Sequence, residues 1–168
     1  LYDRGGQTPE SLSEAFFAYS RKHLYAGRPA EAPPRASPAR ARKRVGIISP
    51  QLFASPVYFF GIGALRLLAM SADLVFFHRG TRQDWATAGF RALSADWRNV
   101  AGLEPIALES ELRRHALDAL IDMGGWMDRI ALQALAGKPA RRMYKWVGGQ
   151  SVSTGLASFD GFIGDLHQ

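Results

Sequence analysis

The 168-residue sequence contains no cysteine. Disulfide bonds and thiolate metal sites are therefore excluded, and the composition fits a reducing, cytoplasmic compartment. No apolar run is long enough for a membrane-spanning helix, and the first ten residues, LYDRGGQTPE, lack the pattern of a secretion signal. The chain also begins without Met, which suggests a piece of something longer. Its length suits one domain with a core of its own.

Several motifs that carry chemistry are missing as well. The sequence has no Asp-x-Asp pair and no G-x-S-x-G nucleophile elbow. The segment GGQSVSTG lacks the lysine that follows the last glycine of a nucleoside-triphosphate loop, and in FGIGALR Arg66 stands where a dinucleotide fingerprint has its third glycine. The histidines show no metal-ligand spacing: His23, His78, His115 and His167. We therefore predict no metal site and expect each histidine to be a surface or packing residue.

The net charge of +6 is concentrated in one stretch. Six basic residues and one acid, Glu31, lie between Arg28 and Arg44. Because no aromatic residues that could stack on bases are interleaved with them, a solvated tether is favoured over a nucleic-acid-binding arm. Binding of anions or nucleic acid through this stretch is a third, weaker hypothesis.

Three regions are predicted along the chain. Residues 1–27 contain a helix over 8–27, in which Thr8 can serve as N-cap, Pro9 fits the first helical position and Gly27 ends the helix. Residues 28–43 form a basic Pro/Ala linker, because four prolines prevent a helix or a central strand. Residues 44–168 form the main domain.

Strand and helix patterns alternate in the main domain. Strands are predicted over 44–49, 72–78, 118–123, 141–148 and 159–165, and helices over 57–70, 84–97, 107–116 and 129–137. This alternation predicts parallel strands joined by crossovers, hence an open three-layer α/β sheet. Ligands of such sheets bind beyond the carboxyl ends of the strands, which directs attention to segments 50–56, 124–128 and 148–154.

Asp122 stands at the end of the third predicted strand, in LIDMGGW, before two glycines. A carboxylate in this position can accept a proton from a substrate hydroxyl or hold a sugar. It can equally cap or brace the adjacent loop. The residues alone leave both interpretations open.

Three segments and their spacing resemble a known family: RVGIISPQLFASP, LIDMGGW and KPARRMYKWVGGQSVSTGLASFD. They are similar to R-V-G-Y-[IV]-S-x-D-F-x-x-H-P, L-[VI]-D-L-x-G-H-T and R-P-A-P-[IV]-Q-x-x-W-L-G-Y-P-G-T-[ST]-G of the N-terminal catalytic lobe of O-linked N-acetylglucosamine transferases and their SPINDLY-like bacterial relatives. Residues 90–103 also resemble the family's helix and short strand between the second and third strands. The N-terminal helix resembles the one that joins tetratricopeptide repeats to the lobe.

This resemblance implies a Rossmann-like lobe, one half of a two-lobed GT-B glycosyltransferase. It implies metal-independent, inverting transfer of a sugar, with N-acetylglucosamine expected, from a UDP-sugar to a protein Ser or Thr hydroxyl. The expected partners are a C-terminal lobe that supplies most nucleotide contacts, upstream tetratricopeptide repeats and a protein acceptor, with no membrane. No cofactor is expected besides the donor, UDP-GlcNAc, and the lobe alone should be inactive.

The resemblance also assigns site residues. Asp122 matches an aspartate proposed to take part in the proton path from the acceptor hydroxyl, so it is the expected catalytic residue. Substrate-binding roles are expected for Ser55, Pro56, Gly125, Trp126, Trp146, Val147, Gly148, Gln150 and Thr154.

Two family histidines are replaced in this sequence, by Ser55 and Trp126. Indole only donates a hydrogen bond and a serine hydroxyl is not basic, so base chemistry would fall on Asp122 or on the second lobe. Trp126 offers either a stacking surface for a sugar or a tryptophan packed under the loop. The rival hypothesis is therefore a catalytically inactive binding or scaffold domain derived from the same fold.

Overall fold

The computed structural model describes residues 5–25, 39–148 and 153–164. The strands are β1 (Lys43–Ser49), β2 (Ala72–His78), β3 (Ser94–Asn99), β4 (Ala119–Asp122), β5 (Met143–Trp146) and β6 (Gly161–Ile163). The helices are α1 (Pro9–His23), α2 (Pro56–Ser71), α3 (Trp85–Arg91), α4 (Pro105–Arg114) and α5 (Arg129–Ala136), with a 3₁₀ turn over Gly125–Met127.

The strands form one parallel sheet in the order β3-β2-β1-β4-β5-β6. This is the order of doubly wound sheets, and the direction in which strands are added reverses between β1 and β4. The predicted Rossmann-like α/β architecture is confirmed.

Both faces of the sheet are covered. One core cluster joins the sheet to α4 and α5 through residues such as Leu108 and Leu132. The other joins it to α2 and α3 through Leu65 and Phe90. Burial on both faces explains why β1 and β2 read as nearly continuous apolar runs rather than as alternating patterns.

The helix predicted over 84–97 is wrong beyond Arg91. Residues Ser94–Asn99 form the edge strand β3, so the helix and short strand implied by the family resemblance are found instead. Trp97 stacks on Phe76 of β2 with ring centroids 5.7 Å apart. Pairing and packing against β2 therefore override the helical spacing of this stretch.

The helix α1 begins as predicted and ends earlier. The Thr8 and Ser11 side chains form a capping box at its N-terminus. Its last residue is His23 rather than the predicted Gly27, which lies outside the described residues.

The described part of the predicted linker, 39–43, is bound to the domain. Arg42 pairs with Asp73 and donates to the carbonyl oxygens of Ala69, Met70 and Ala72 at the end of α2. A cation at this position stabilises the negative end of the helix dipole. No helix in the described ranges is both long and apolar enough to cross a bilayer.

Candidate functional site

Three loops meet at the carboxyl edge of the sheet, where the order of the strands reverses. They follow the neighbouring strands β1, β4 and β5. Ser49 Oγ donates to the Met123 carbonyl oxygen at 3.2 Å, which links the first two loops. A Cβ at Gly148 would collide with the same carbonyl, so the third loop also lies against the second. The structure thus brings together the beginnings of the three segments singled out from the sequence, with Gly148 as the described start of the third.

The Asp122 carboxylate holds the loop after β4. It is 1% exposed, and its oxygens accept the backbone N–H groups of Gly124 (2.8 Å) and Gly125 (3.0 and 3.1 Å). Burial raises the pKa of Asp122, the Lys145 ammonium and the two amides oppose that change, and the Asp128 charge adds to it. In the described structure the carboxylate braces the loop and is closed to solvent. The proposed catalytic role of Asp122 stays a prediction.

Ser55 and Pro56 begin α2. Ser55 is the N-cap, but its hydroxyl donates to the Gln51 carbonyl oxygen at 3.1 Å and makes no capping bond to the helix. Pro56 occupies the first helical position, where the missing N–H costs nothing. Ser55 is 6% exposed and therefore offers little surface to a ligand in this conformation.

Trp126 packs against α1. Its ring lies 5.7 Å from the Phe16 ring and 5.6 Å from the Tyr19 ring, centroid to centroid. Its Nε1 donates to the Ser153 carbonyl oxygen at 3.3 Å. The described contacts are those of a tryptophan packed between a helix and a loop, and sugar stacking by Trp126 stays a prediction.

The loop after β5 begins with two consecutive left-handed residues. Val147 has φ 37° and Gly148 has φ 62°. This conformation is uncommon for a β-branched residue, whereas glycine adopts it readily. Trp146, just before them, packs toward Gly61 of α2. Gln150 lies outside the described residues.

The far end of this loop is held by α1. Thr154 is 5% exposed, and its carbonyl oxygen accepts a hydrogen bond of 2.9 Å from the buried Ser20 hydroxyl. At Gly155, with φ 69°, a Cβ would collide with the Phe16 backbone. The helix α1 therefore packs directly on the segment that carries predicted site residues.

Lys145 was not singled out from the sequence. It pairs with Asp122 in the register of β5 and β4, and it is 3% exposed. Its ammonium group donates to the carbonyl oxygens of Val147, Gly148 (2.7 Å) and Trp146 (3.4 Å). Burial lowers the pKa of Lys145, and the Asp122 charge opposes this. A Cβ at Gly125, which has φ 54°, would lie 2.7 Å from Lys145 Cε, so glycine leaves room for the lysine.

A buried ion pair at the same edge was also missed. Arg79 Nε lies 2.8 Å from Asp128 Oδ2, and Nη1 donates to carbonyl oxygens of the loop after β3, including Leu103 at 3.1 Å. Asp128 also caps α5 by accepting from Ala131 N at 3.0 Å. The pair joins the loops that follow β2, β3 and β4. Because its members lie 49 positions apart in the chain, no local pattern could indicate it.

The site is therefore built from backbone groups held by buried charges. Asp122 gathers amides after β4, and Lys145 gathers carbonyl oxygens after β5. Within the described ranges no group of three or more histidine, aspartate or glutamate side chains is placed to hold a metal ion. The loops that these charges hold lie at the edge of the sheet where ligands of such folds bind.

The comparisons with known proteins bear on the fold. No family model matches the sequence, and no match was found among curated proteins. A mutant of the O-GlcNAc transferase of Thermobaculum terrenum matches with a TM-score of 0.79 and 26% identity. The match covers 98% of this chain and 32% of the transferase, so the chain spans about a third of that protein.

A crystal structure of AibC matches more remotely. It has 18% identity and a TM-score of 0.41, with 74% of this chain and 33% of that chain covered, and supports no inference. The transferase match shows that this chain has an O-GlcNAc-transferase-like glycosyltransferase fold and confirms the resemblance found in the sequence.

Proposed function

We propose that this chain, with its O-GlcNAc-transferase-like fold, is the N-terminal lobe of a metal-independent, inverting glycosyltransferase. It transfers a sugar from a UDP-sugar to a Ser or Thr hydroxyl of a protein, and the sugar that we propose is N-acetylglucosamine. One observation carries the proposal: the match to an O-GlcNAc transferase extends over 98% of the chain. The arrangement of three predicted loops at the switch point of the sheet supports it.

The proposed partners are those that the family resemblance implies. The chain spans 32% of the transferase. On the family resemblance of its sequence, a C-terminal lobe, upstream tetratricopeptide repeats and a protein acceptor are proposed as partners. We place it in the bacterial cytoplasm, because the transferase it resembles is from Thermobaculum terrenum and because the absence of cysteine fits a reducing compartment. The lobe alone is proposed to be inactive, since the nucleotide would be bound between two lobes.

We assign Asp122 to positioning rather than to proton transfer within this lobe. Both of its oxygens accept backbone N–H groups and the side chain is 1% exposed, so a substrate hydroxyl cannot reach it without opening the loop. Base chemistry then falls on the second lobe. The donor would contact the backbone of the loops that Asp122 and Lys145 hold. Gly125 and Gly148 are residues at which these two loops lie close to each other.

Calorimetric titration of the full-length protein with UDP, UDP-GlcNAc and other UDP-sugars tests the donor. Transfer to peptide acceptors with and without a chelator tests the reaction, and we expect binding and chelator-resistant transfer. Asp122→Asn should lower transfer, and Asp73→Asn, at a partly exposed aspartate paired with Arg42, is the control. Wild-type transfer rates in Asp122→Asn would contradict any role for the carboxylate.

The alternative function is a non-catalytic binding or scaffold domain. Ser55 and Trp126 stand in the two family histidine positions, and both make structural contacts here. Donor binding without either hydrolysis or transfer would favour this alternative. The complete absence of UDP-sugar binding by the full-length protein would contradict the transferase proposal.

A further inference from the structure

Lys145 is a buried cation without a predicted role. Its side chain leaves β5 beside Asp122 and turns back over the end of its own strand. Lysine is rarely buried because desolvation of the ammonium group is costly, and partners are needed to compensate. Here the partners are three successive backbone carbonyl oxygens, of residues 146–148.

The surroundings of Lys145 are shaped to admit it. The backbone adopts left-handed conformations at Val147 and Gly148, which turn their carbonyl oxygens toward the ammonium group. A valine in this conformation is strained, and such strain persists only where neighbouring contacts enforce it. At Gly125 any side chain would press on Lys145 Cε. The loops after β4 and β5 therefore both depend on the position of this one side chain.

Lys145 and Asp122 each hold the backbone of a different loop. Asp122 accepts amides of the loop after β4, and Lys145 donates to carbonyls of the loop after β5. The two charges attract each other in the register pair that joins the strands. A third charge, on Asp128 after the 3₁₀ turn, contributes to the raised pKa of Asp122.

We propose that Lys145 is a positioning residue for the donor-binding edge of this lobe, and that with Asp122 it fixes the loop after β4 and the first residues after β5, 147 and 148, as one unit. The identity of the ligand rests on the proposed function, because these loops would hold the sugar of a UDP-sugar while the second lobe binds most of the nucleotide. Lys145 itself does not touch the ligand in this arrangement. It acts through the backbone of residues 146–148 and through Asp122.

The first test uses this chain and does not involve a donor. Lys145→Met removes the charge while keeping a long unbranched side chain, and Lys43→Gln, at a lysine with 71% side-chain exposure, is the control. We expect Lys145→Met to raise the titration midpoint of the Asp122 carboxyl, followed by NMR, by about one pH unit or more. The amide signals of Gly124, Gly125 and Gly148 should shift with it.

The second test uses the full-length protein and a UDP-sugar. Lys145→Met should raise KM for the donor about tenfold, with a smaller change in kcat, because ground-state positioning is lost. Lys43→Gln should change neither constant. Equal losses in kcat and kcat/KM with an unchanged KM would overturn the assignment to donor positioning.

Two outcomes separate this inference from the proposed function. If the Asp122 titration midpoint and the loop amide signals are as little changed in Lys145→Met as in the control Lys43→Gln, the inference is wrong, whatever the protein binds. If these signals shift but the wild-type protein binds no UDP-sugar, the proposed function fails and the link between Lys145 and the two loops stands.

A variant that removes both charges guards against loss of folding. If Lys145→Met alone does not fold, Asp122→Asn with Lys145→Met should recover a cooperative thermal transition, because no unpaired charge stays buried. A double variant that is also unfolded, while Asp122→Asn alone folds, would show that Lys145 acts through its carbonyl contacts and not through its charge pair with Asp122, and would overturn the claim that the two side chains act as one unit.

Discussion

Replacing Arg79 by Met tests the buried ion pair that joins three loops at the carboxyl edge of the sheet. The side chains of Arg79 and Asp128 are 4% and 9% exposed, and Nε lies 2.8 Å from Oδ2. Arg79 also donates from Nη2 to Asp128 Oδ1 at 3.4 Å and from Nη1 to carbonyl oxygens of Ala101 (3.3 Å) and Leu103 (3.1 Å). Met fills part of the same volume but makes none of these hydrogen bonds.

The expected loss is large. Breaking a buried pair by removing one partner costs about 3–5 kcal/mol, against a total stability of about 5–15 kcal/mol for an ordinary domain. In Arg79→Met the Asp128 carboxylate stays buried and, among the described residues, keeps only its capping bond to Ala131 N. Arg79→Met with Asp128→Asn should therefore be less destabilised than the two single losses added, by about 1–3 kcal/mol.

Urea unfolding followed by circular dichroism measures these free energies. Arg98→Met is the matched control, because Arg98 pairs with Asp96 at 2.9 Å while its side chain is 49% exposed. Removing an exposed pair should cost less than about 1 kcal/mol. The reasoning is refuted if Arg79→Met costs no more than Arg98→Met, or if the losses in the double variant are additive.

Further predictions concern other positions. Gly148→Ala should lower the unfolding free energy by at least about 1–3 kcal/mol, because φ at Gly148 is 62° and a Cβ there would collide with the Met123 carbonyl. Gly102→Ala is the control and should cost far less in the same urea titration, because the space around Gly102 is open. Equal losses in the two variants would contradict this prediction. Burial lowers the pKa of His78 from its ordinary 6.5, so the unfolded chain takes up the proton first and stability should fall as pH drops below about 6.5 toward the folded-state pKa. His78→Leu should make stability less dependent on pH. The effect should be partial, because burial also lowers the pKa of His115 and that residue contributes to the same dependence. An unchanged slope of stability against pH would contradict the role of His78. Phe60→Gln, at 74% exposure on α2, should change the unfolding free energy by less than about 0.5 kcal/mol and raise solubility; a large loss would show that α2 packs differently.

Much of the fold could be predicted because its signals are local. The apolar strands and the helices between them repeat along the chain, and parallel pairing follows from that alternation. The loops after β1, β4 and β5 were found by the same reasoning, since ligand loops of such sheets follow the strands. The edge strand β3 was missed from periodicity alone because its helical spacing is overridden by pairing with β2.

The residues around the site were harder to predict because their environments depend on distant parts of the chain. Nothing in the segment RRMYKWVGG marks Lys145 as buried, since its carbonyl partners adopt their positions only after the strand has ended. Trp126 is equally compatible with a sugar and with a protein contact until α1 is packed beside it. The bracing role of Asp122 was one of two interpretations left open by the residues.

By itself the sequence determined the class of fold, the positions of most strands and helices, and the family that the loops resemble, because periodicity, capping residues and glycine positions act within a few residues of one another. Only the tertiary structure decided that Asp122 and Lys145 hold neighbouring loops, that Arg79 and Asp128 form a pair, and that α1 packs on the loop before Leu156. Burial and charge pairing join residues far apart in the chain, so these contacts exist only once the sheet has assembled.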